Sequence, residues 1–141
     1  MDQKRILVID DESALTRMIR LNLETTKRYV VREENRAPHA HTTAREFKPD
    51  LILLDVIMPG TDGGELASRF RADPALKDIP VIFLTATLSK REAAEGMING
   101  GYLFLPKPVG LKNLVECIEN ALAAKAHEHK HEVKPDTEPG K

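Results

Sequence analysis

Five short apolar runs, each followed by a stretch with helical periodicity, leave few folds open to this chain. The first, Ile6-Leu7-Val8-Ile9, is unbroken and rich in β-branched residues, which suits a strand buried on both faces. Tyr29-Val30-Val31 is a weaker second run, nearer a sheet edge. Leu51-Ile52-Leu53-Leu54, Ile79-Pro80-Val81-Ile82-Phe83-Leu84, with Pro80 near its start where a missing donor is tolerated, and Tyr102-Leu103-Phe104-Leu105 are the third, fourth and fifth. Between them apolar residues recur at helical spacing. Leu15, Met18, Ile19 and Leu23 follow Ser13, a suitable N-cap, and Ala37, Ala40, Ala44 and Phe47 share a second face. Leu66 and Phe70 belong to a third helix with a late start, because Gly63-Gly64 are poor helix formers. A fourth helix is expected over 89–99, with Ala93, Ala94, Met97 and Ile98 inward. The last carries Leu111, Leu114, Val115, Ile118 and Leu122. Such alternation predicts an α/β fold, a doubly wound parallel sheet with helices on both faces.

The length of 141 residues suits one domain. A helix-turn-helix output module after a domain of about 120 residues would need more chain than remains. A net charge of −1 argues against strong attraction to nucleic acid or an anionic membrane. No run of about 18 apolar residues occurs, so no membrane insertion is expected. The N-terminus enters a strand pattern without a signal-peptide layout, and Cys117 is the single cysteine. Both point to the cytoplasm, and Cys117, among Leu114, Val115 and Ile118, reads as a buried structural thiol. The periodicity dissolves near the end, which predicts a folded domain over 1–124 and a disordered charged tail over 125–141. His39, His41, His127, His129 and His131 read as solvated side chains, since no fixed ligand shell surrounds them.

Parallel α/β sheets place ligands outside the carboxyl ends of their strands. The first strand ends at Asp10-Asp11 and the third at Asp55. In the strand order 2-1-3-4-5 these strands are neighbours, so three carboxylates meet at one edge. Like charges packed that closely need a cation, and hard oxygen ligands with room for water suit Mg²⁺. The fourth strand ends at Thr85 and the fifth leads to Lys107. A carboxylate, a divalent cation, a hydroxyl and an ammonium in one cleft can hold a phosphoryl group while a nucleophile attacks it.

Four motifs together resemble the receiver domain of two-component response regulators: Val8-Ile9-Asp10-Asp11-Glu12, Leu53-Leu54-Asp55-Val56-Ile57-Met58-Pro59-Gly60, Leu84-Thr85-Ala86 and Pro106-Lys107-Pro108. Thr85 lies 30 residues after Asp55 and Lys107 lies 52 after it. The resemblance implies a flavodoxin-like fold and a stand-alone phosphoacceptor switch, not an enzyme, over residues 4 to 124. Asp55 is then the phosphoacceptor, served by a histidine kinase or a phosphotransfer protein. Asp10, Asp11, Asp55 and the backbone carbonyl of Ile57 would ligate Mg²⁺, with Mn²⁺ as a substitute. Lys107 would pair with Asp55 before transfer and with the phosphoryl group after it. Thr85 would swing toward the phosphoryl oxygens, and Phe104 would turn inward into the space it leaves. That repacks a face built from the fourth predicted helix, the fifth predicted strand and the last helix. The face would bind a downstream protein of unknown identity, and would also serve as a homodimer surface. Ile57 and Thr87 border the path of attacking water and would set a moderate phosphate lifetime. The Lys107–Pro108 peptide is commonly cis in the family.

The segment Asn35-Arg36-Ala37-Pro38-His39-Ala40-His41 departs from the family pattern, and is read as touching no active-site position. A phosphatase of the haloacid dehalogenase superfamily also uses a strand-end aspartate with Mg²⁺. It usually shows Asp-x-Asp after the first strand, which is absent here. A pseudo-receiver that only binds partners would not need the complete acceptor set.

Overall fold

The computed structural model describes residues 3–85, 98–99, 102–107 and 110–137. The first apolar run is β1 (Lys4–Ile9), followed by α1 (Ser13–Thr25), β2 (Tyr29–Glu34), a short 3-10 turn (Ala37–His39) and α2 (Ala40–Phe47). The third run is β3 (Leu51–Asp55). A hairpin of β4 (Ile57–Met58) and β5 (Thr61–Asp62) then leads into α3 (Gly63–Ala72). The remaining elements are β6 (Val81–Thr85), β7 (Ile98–Asn99), β8 (Tyr102–Pro106) and α4 (Leu111–Thr137).

The sheet order is β2-β1-β3-β6-β8-β7. Its five main strands are parallel, in the order expected, with β2 at an edge. Because successive side chains on a strand point to opposite faces, each central strand feeds two cores. Ile6, Val8, Leu51, Leu53, Ile82 and Leu84 pack with Ile19 and Leu23 of α1 and Leu114 and Ile118 of α4. Leu7, Ile9, Ile52, Leu54 and Phe83 pack with Ala40, Ala44 and Phe47 of α2 and Leu66 and Phe70 of α3. Each fully buried Leu or Ile contributes roughly 1.5–3 kcal/mol, so the unbroken apolar runs are what both faces require.

Several local expectations are corrected. Ser13 is the first residue of α1, not its cap. Glu12 holds the cap position, and its carbonyl accepts from the backbone N–H groups of Leu15 and Thr16. The third helix does not start late: the Asp62 carboxylate caps it, accepting from the Gly64 N–H at 2.9 Å. Ile98 and Asn99 do not end a helix but form β7, antiparallel to β8. The rest of the expected fourth helix, residues 89–97, lies outside the described residues, as do Ala86, Thr87 and Pro108. Disorder was expected from residue 125, yet helical backbone runs on to Thr137. The alanines at 121, 123, 124 and 126 are strong helix formers that carry the helix past the end of its apolar stripe.

Candidate functional site

The site grows from the carboxyl ends of β1, β3, β6 and β8. Asp55 is the last residue of β3 and is paired in register with Leu84 of β6. Asp10 follows β1, and its backbone N–H donates to the Glu34 carbonyl at the end of β2. Thr85 ends β6, and its carbonyl accepts from the Lys107 N–H at 2.9 Å. The sheet therefore brings residues 10, 55, 85 and 107 to one edge.

Side-chain alternation divides them. Lys107 keeps the parity of Leu103 and Leu105, and Asp55 that of Leu51 and Leu53, both on the α1–α4 side. Thr85 keeps the parity of Phe83, on the α2–α3 side, and is buried there. Phe104 follows the same side and stacks on Phe83, with ring centroids 5.0 Å apart and planes 21° apart.

Carboxylate oxygens of Asp10, Asp11 and Asp55 all lie within 4.8 Å of one another. Asp10 is 0% exposed and Asp55 6%, whereas Asp11 is exposed. The Lys107 ammonium sits 2.8 Å from Asp10 Oδ2, 3.4 Å from Asp55 Oδ1 and 3.6 Å from Glu12 Oε1. One ammonium thus serves three carboxylates, with Asp11 beside them. Burial, and then the Asp10 charge, push the Asp55 carboxyl above its ordinary pKa, with Lys107 and the Ile57 N–H pulling the other way. Burial also works against the Lys107 ammonium, but Asp10 and then Asp55 outweigh it and raise its pKa.

A divalent cation fits these donors. Asp10 Oδ1 accepts from the Glu12 N–H at 2.9 Å, whereas Oδ2 is buried with the Lys107 ammonium, 2.8 Å away, as its charged neighbour. A buried carboxylate oxygen with no N–H donor is costly, and a cation shared with Asp11 and Asp55 would relieve it. All three residues offer hard oxygens, the donor set of Mg²⁺.

The loop after β3 is shaped by two glycines. Gly60 has φ +73° in the turn Met58-Pro59-Gly60-Thr61, a type II arrangement with Pro and Gly at its two centres. Gly63 lies so close to β3 that an added Cβ would stand 2.3 Å from the Asp55 carbonyl oxygen. Its N–H donates to the Val56 carbonyl at 2.7 Å. Gly63, the first of the two glycines that read as a weak helix start, is thus a close-packing requirement behind β3. Ile57, in the same loop, is 68% exposed.

The sequence reading missed the second row of polar residues. Asn35 belongs to the segment expected to touch no active-site position, but its Nδ2 donates to the Asp10 carbonyl and to Thr16 Oγ1, each at 2.8 Å. Thr16 in turn donates to Glu33 Oε1 at 2.7 Å, and Arg20 Nε donates to Glu33 Oε2 at 2.5 Å. No periodicity marks such residues; an asparagine directly after a strand was the available signal. His41 is not a free surface residue either: its Nε2 meets Asp73 Oδ2 at 2.7 Å, beside Arg45 at 2.6 Å. Cys117 is half-buried against the core and unpaired, and burial raises its thiol pKa.

A sequence profile for the response regulator receiver domain matches residues 6–119, and the chain belongs to that family. It is 38% identical over 119 residues to the phosphate regulon transcriptional regulatory protein PhoB of Pseudomonas aeruginosa, covering 84% of this chain and 52% of that protein. It is also 38% identical over 105 residues to the response regulator PleD of Caulobacter vibrioides, covering 74% of this chain and 23% of PleD. The chain thus spans about half the length of PhoB and less of PleD. Among solved structures, a receiver domain protein of Methanospirillum hungatei superposes with a TM-score of 0.74 at 25% identity, covering 90% of this chain and 99% of that one. The N-terminal domain of a receiver protein from Methanoculleus marisnigri gives 0.64 at 34% identity, covering 86% and 98%. No helix among the described residues is long and apolar enough to cross a membrane.

Proposed function

We propose that this receiver domain is a phosphoacceptor switch in which Asp55 takes a phosphoryl group from a phosphohistidine on a histidine kinase or phosphotransfer protein. The observation that carries the reading is the Lys107 ammonium between buried Asp10 and Asp55, within a group of carboxylates close enough to share one cation. An Asp55 oxygen attacks phosphorus, an O–P bond forms, and the P–N bond breaks with its electron pair going to the imidazole. Asp10, Asp11, Asp55 and the Ile57 carbonyl would hold Mg²⁺, with Mn²⁺ able to replace it. The ion supplies positive charge against the phosphoryl oxygens when bound. Lys107 supplies a second positive charge from the β8 side. Asp10, once no longer compensated by Lys107 alone, keeps its charge on the cation side.

The aspartyl phosphate adds nearly two negative charges at pH 7. Thr85 and Lys107 reorient toward them, and Phe104 leaves its present packing. The outcome is a shift between two packings of the face around β8 and α4. That face would bind a downstream protein or a second copy of the chain. Ile57 and Thr87 would tune the phosphate lifetime. Transfer uses only residues 10–107, and action as a stand-alone module, by protein contact, is part of the proposal.

Incubation with acetyl phosphate and Mg²⁺ tests it. The expected result is a mass gain of one phosphoryl group that is absent in Asp55→Asn and after chelation. A gain that persists in Asp55→Asn overturns the assignment, and multiple-turnover hydrolysis of small phosphates favours a phosphatase instead.

A further inference from the structure

We infer that Asn35 is a positioning residue for the divalent-cation site, fixing the peptide between Asp10 and Asp11 from outside the acidic pocket. This rests on the phosphoacceptor reading above. Asp10 is gripped from both sides of its backbone by the end of β2: its N–H donates to the Glu34 carbonyl at 3.1 Å, and its carbonyl accepts from Asn35 Nδ2 at 2.8 Å. That carbonyl belongs to the peptide that leads into Asp11. Asp11 is exposed, so packing does not hold its carboxylate, and the orientation of this peptide decides where it points.

The donor directions leave Asn35 one arrangement. Thr16 is fully buried and its single hydroxyl proton has the Glu33 carboxylate at 2.7 Å and the Ser13 carbonyl at 3.1 Å as acceptors, so with either one a lone pair is left for the Asn35 amide at 2.8 Å. Glu33 is kept anionic although burial opposes it, because Arg20 and Thr16 both donate to it and hold its pKa low. Asn35 therefore presents NH₂, with one proton to Thr16 and the other to the Asp10 carbonyl. An amide flip would set two acceptors against its oxygen. Outer partners that orient ligand-bearing groups typically change metal affinity 10–100-fold when removed.

Mn²⁺ binding to the full chain, followed by the loss of free-ion paramagnetic resonance signal, tests this without any phosphoryl transfer. Asn35→Ala is expected to weaken Mn²⁺ on the order of 10-fold. Thr16→Val, which keeps the shape but cannot accept, weakens it less, and Thr16→Ser restores parental binding. The variants are compared by circular dichroism at the same temperature, so a binding loss in a folded chain is separated from unfolding. An Asn35→Ala protein that stays folded and binds Mn²⁺ within about twofold of the parent, well short of that range, overturns the inference alone. A Thr16→Ser protein as weak as Thr16→Val also overturns it, since bulk and not the hydroxyl would then matter. A parent chain that binds no Mn²⁺ removes the cation site itself, and the inference falls with the reading beneath it. Should Asn35→Ala not fold, the Thr16 pair decides the outcome.

Discussion

Lys107 lies nearer to Asp10 than to Asp55, 2.8 Å against 3.4 Å, and its ammonium touches Asp10 Oδ2, the oxygen that the Glu12 N–H does not use. In this structure the lysine stands in for part of the charge a cation would bring. The family resemblance implies a pairing with Asp55 before transfer, and the structure adds Asp10 as the nearer partner.

Replacing Lys107 by Met therefore leaves the acids uncompensated. Removing one member of a buried ion pair costs about 3–5 kcal/mol, and the variant is expected to lose about 3 kcal/mol in chelator. Saturating Mg²⁺ should recover most of that loss, because it neutralises the same carboxylates. Urea unfolding with and without the ion measures both, and equal losses in the two conditions would contradict the shared role.

Gly63→Ala should be far worse than Gly60→Ala. At Gly63 the new methyl would stand 2.3 Å from the Asp55 carbonyl and 2.8 Å from the Val56 carbonyl, both backbone atoms that cannot swing away. Overpacking of this kind costs about 1–3 kcal/mol or more, and it displaces the end of β3. At Gly60 nothing lies within 4 Å, and only the positive φ opposes a side chain, for about 1 kcal/mol. Unfolding midpoints for the two variants test the ranking.

Asp73 makes stability depend on acid. The Ala75 N–H first, then His41 and Arg45, hold its carboxyl at about 2 against an ordinary 3.8. The unfolded chain thus takes up the proton first as pH falls. The contribution is complete above about pH 4 and is lost as the pH drops toward about 2. Asp73→Asn should therefore be less stable than the parent near neutrality and approach it in acid. A gap that stays constant across that window would show that charge is not the cause.

Phe83 and Phe104 should be energetically coupled. A stacked pair adds about 0.5–1.5 kcal/mol beyond area burial. A double-mutant cycle with Leu at each position should return a coupling in that range for the resting chain. If Phe104 is the switch aromatic, the coupling shrinks when an acyl-phosphate mimic occupies Asp55. A coupling that is unchanged by the mimic would leave Phe104 a plain core residue.

The parallel sheet, its strand order and the strand-end acids were legible because they follow from properties each residue carries alone. Unbroken β-branched runs such as Ile6–Ile9 have to be covered on both faces, and the polar residues that end those runs have to emerge at one edge. Helix ends were read less well. Asp62 rescues a glycine start that propensity disfavours, and Ile98 leaves a helical pattern to pair with Leu103. In both cases a specific hydrogen-bond partner outweighed an average preference.

The sequence by itself determined that carboxylates, a hydroxyl and an ammonium would meet at the carboxyl edge of one sheet, since spacing along alternating strands and helices sets which strand ends carry them. Only the tertiary structure decided which acid the ammonium would favour, why Gly63 must lack a side chain, and how Asn35 comes to hold the Asp10 peptide. Those relations join residues distant along the chain through directed contacts of a few ångströms, and neither periodicity nor composition encodes such distances.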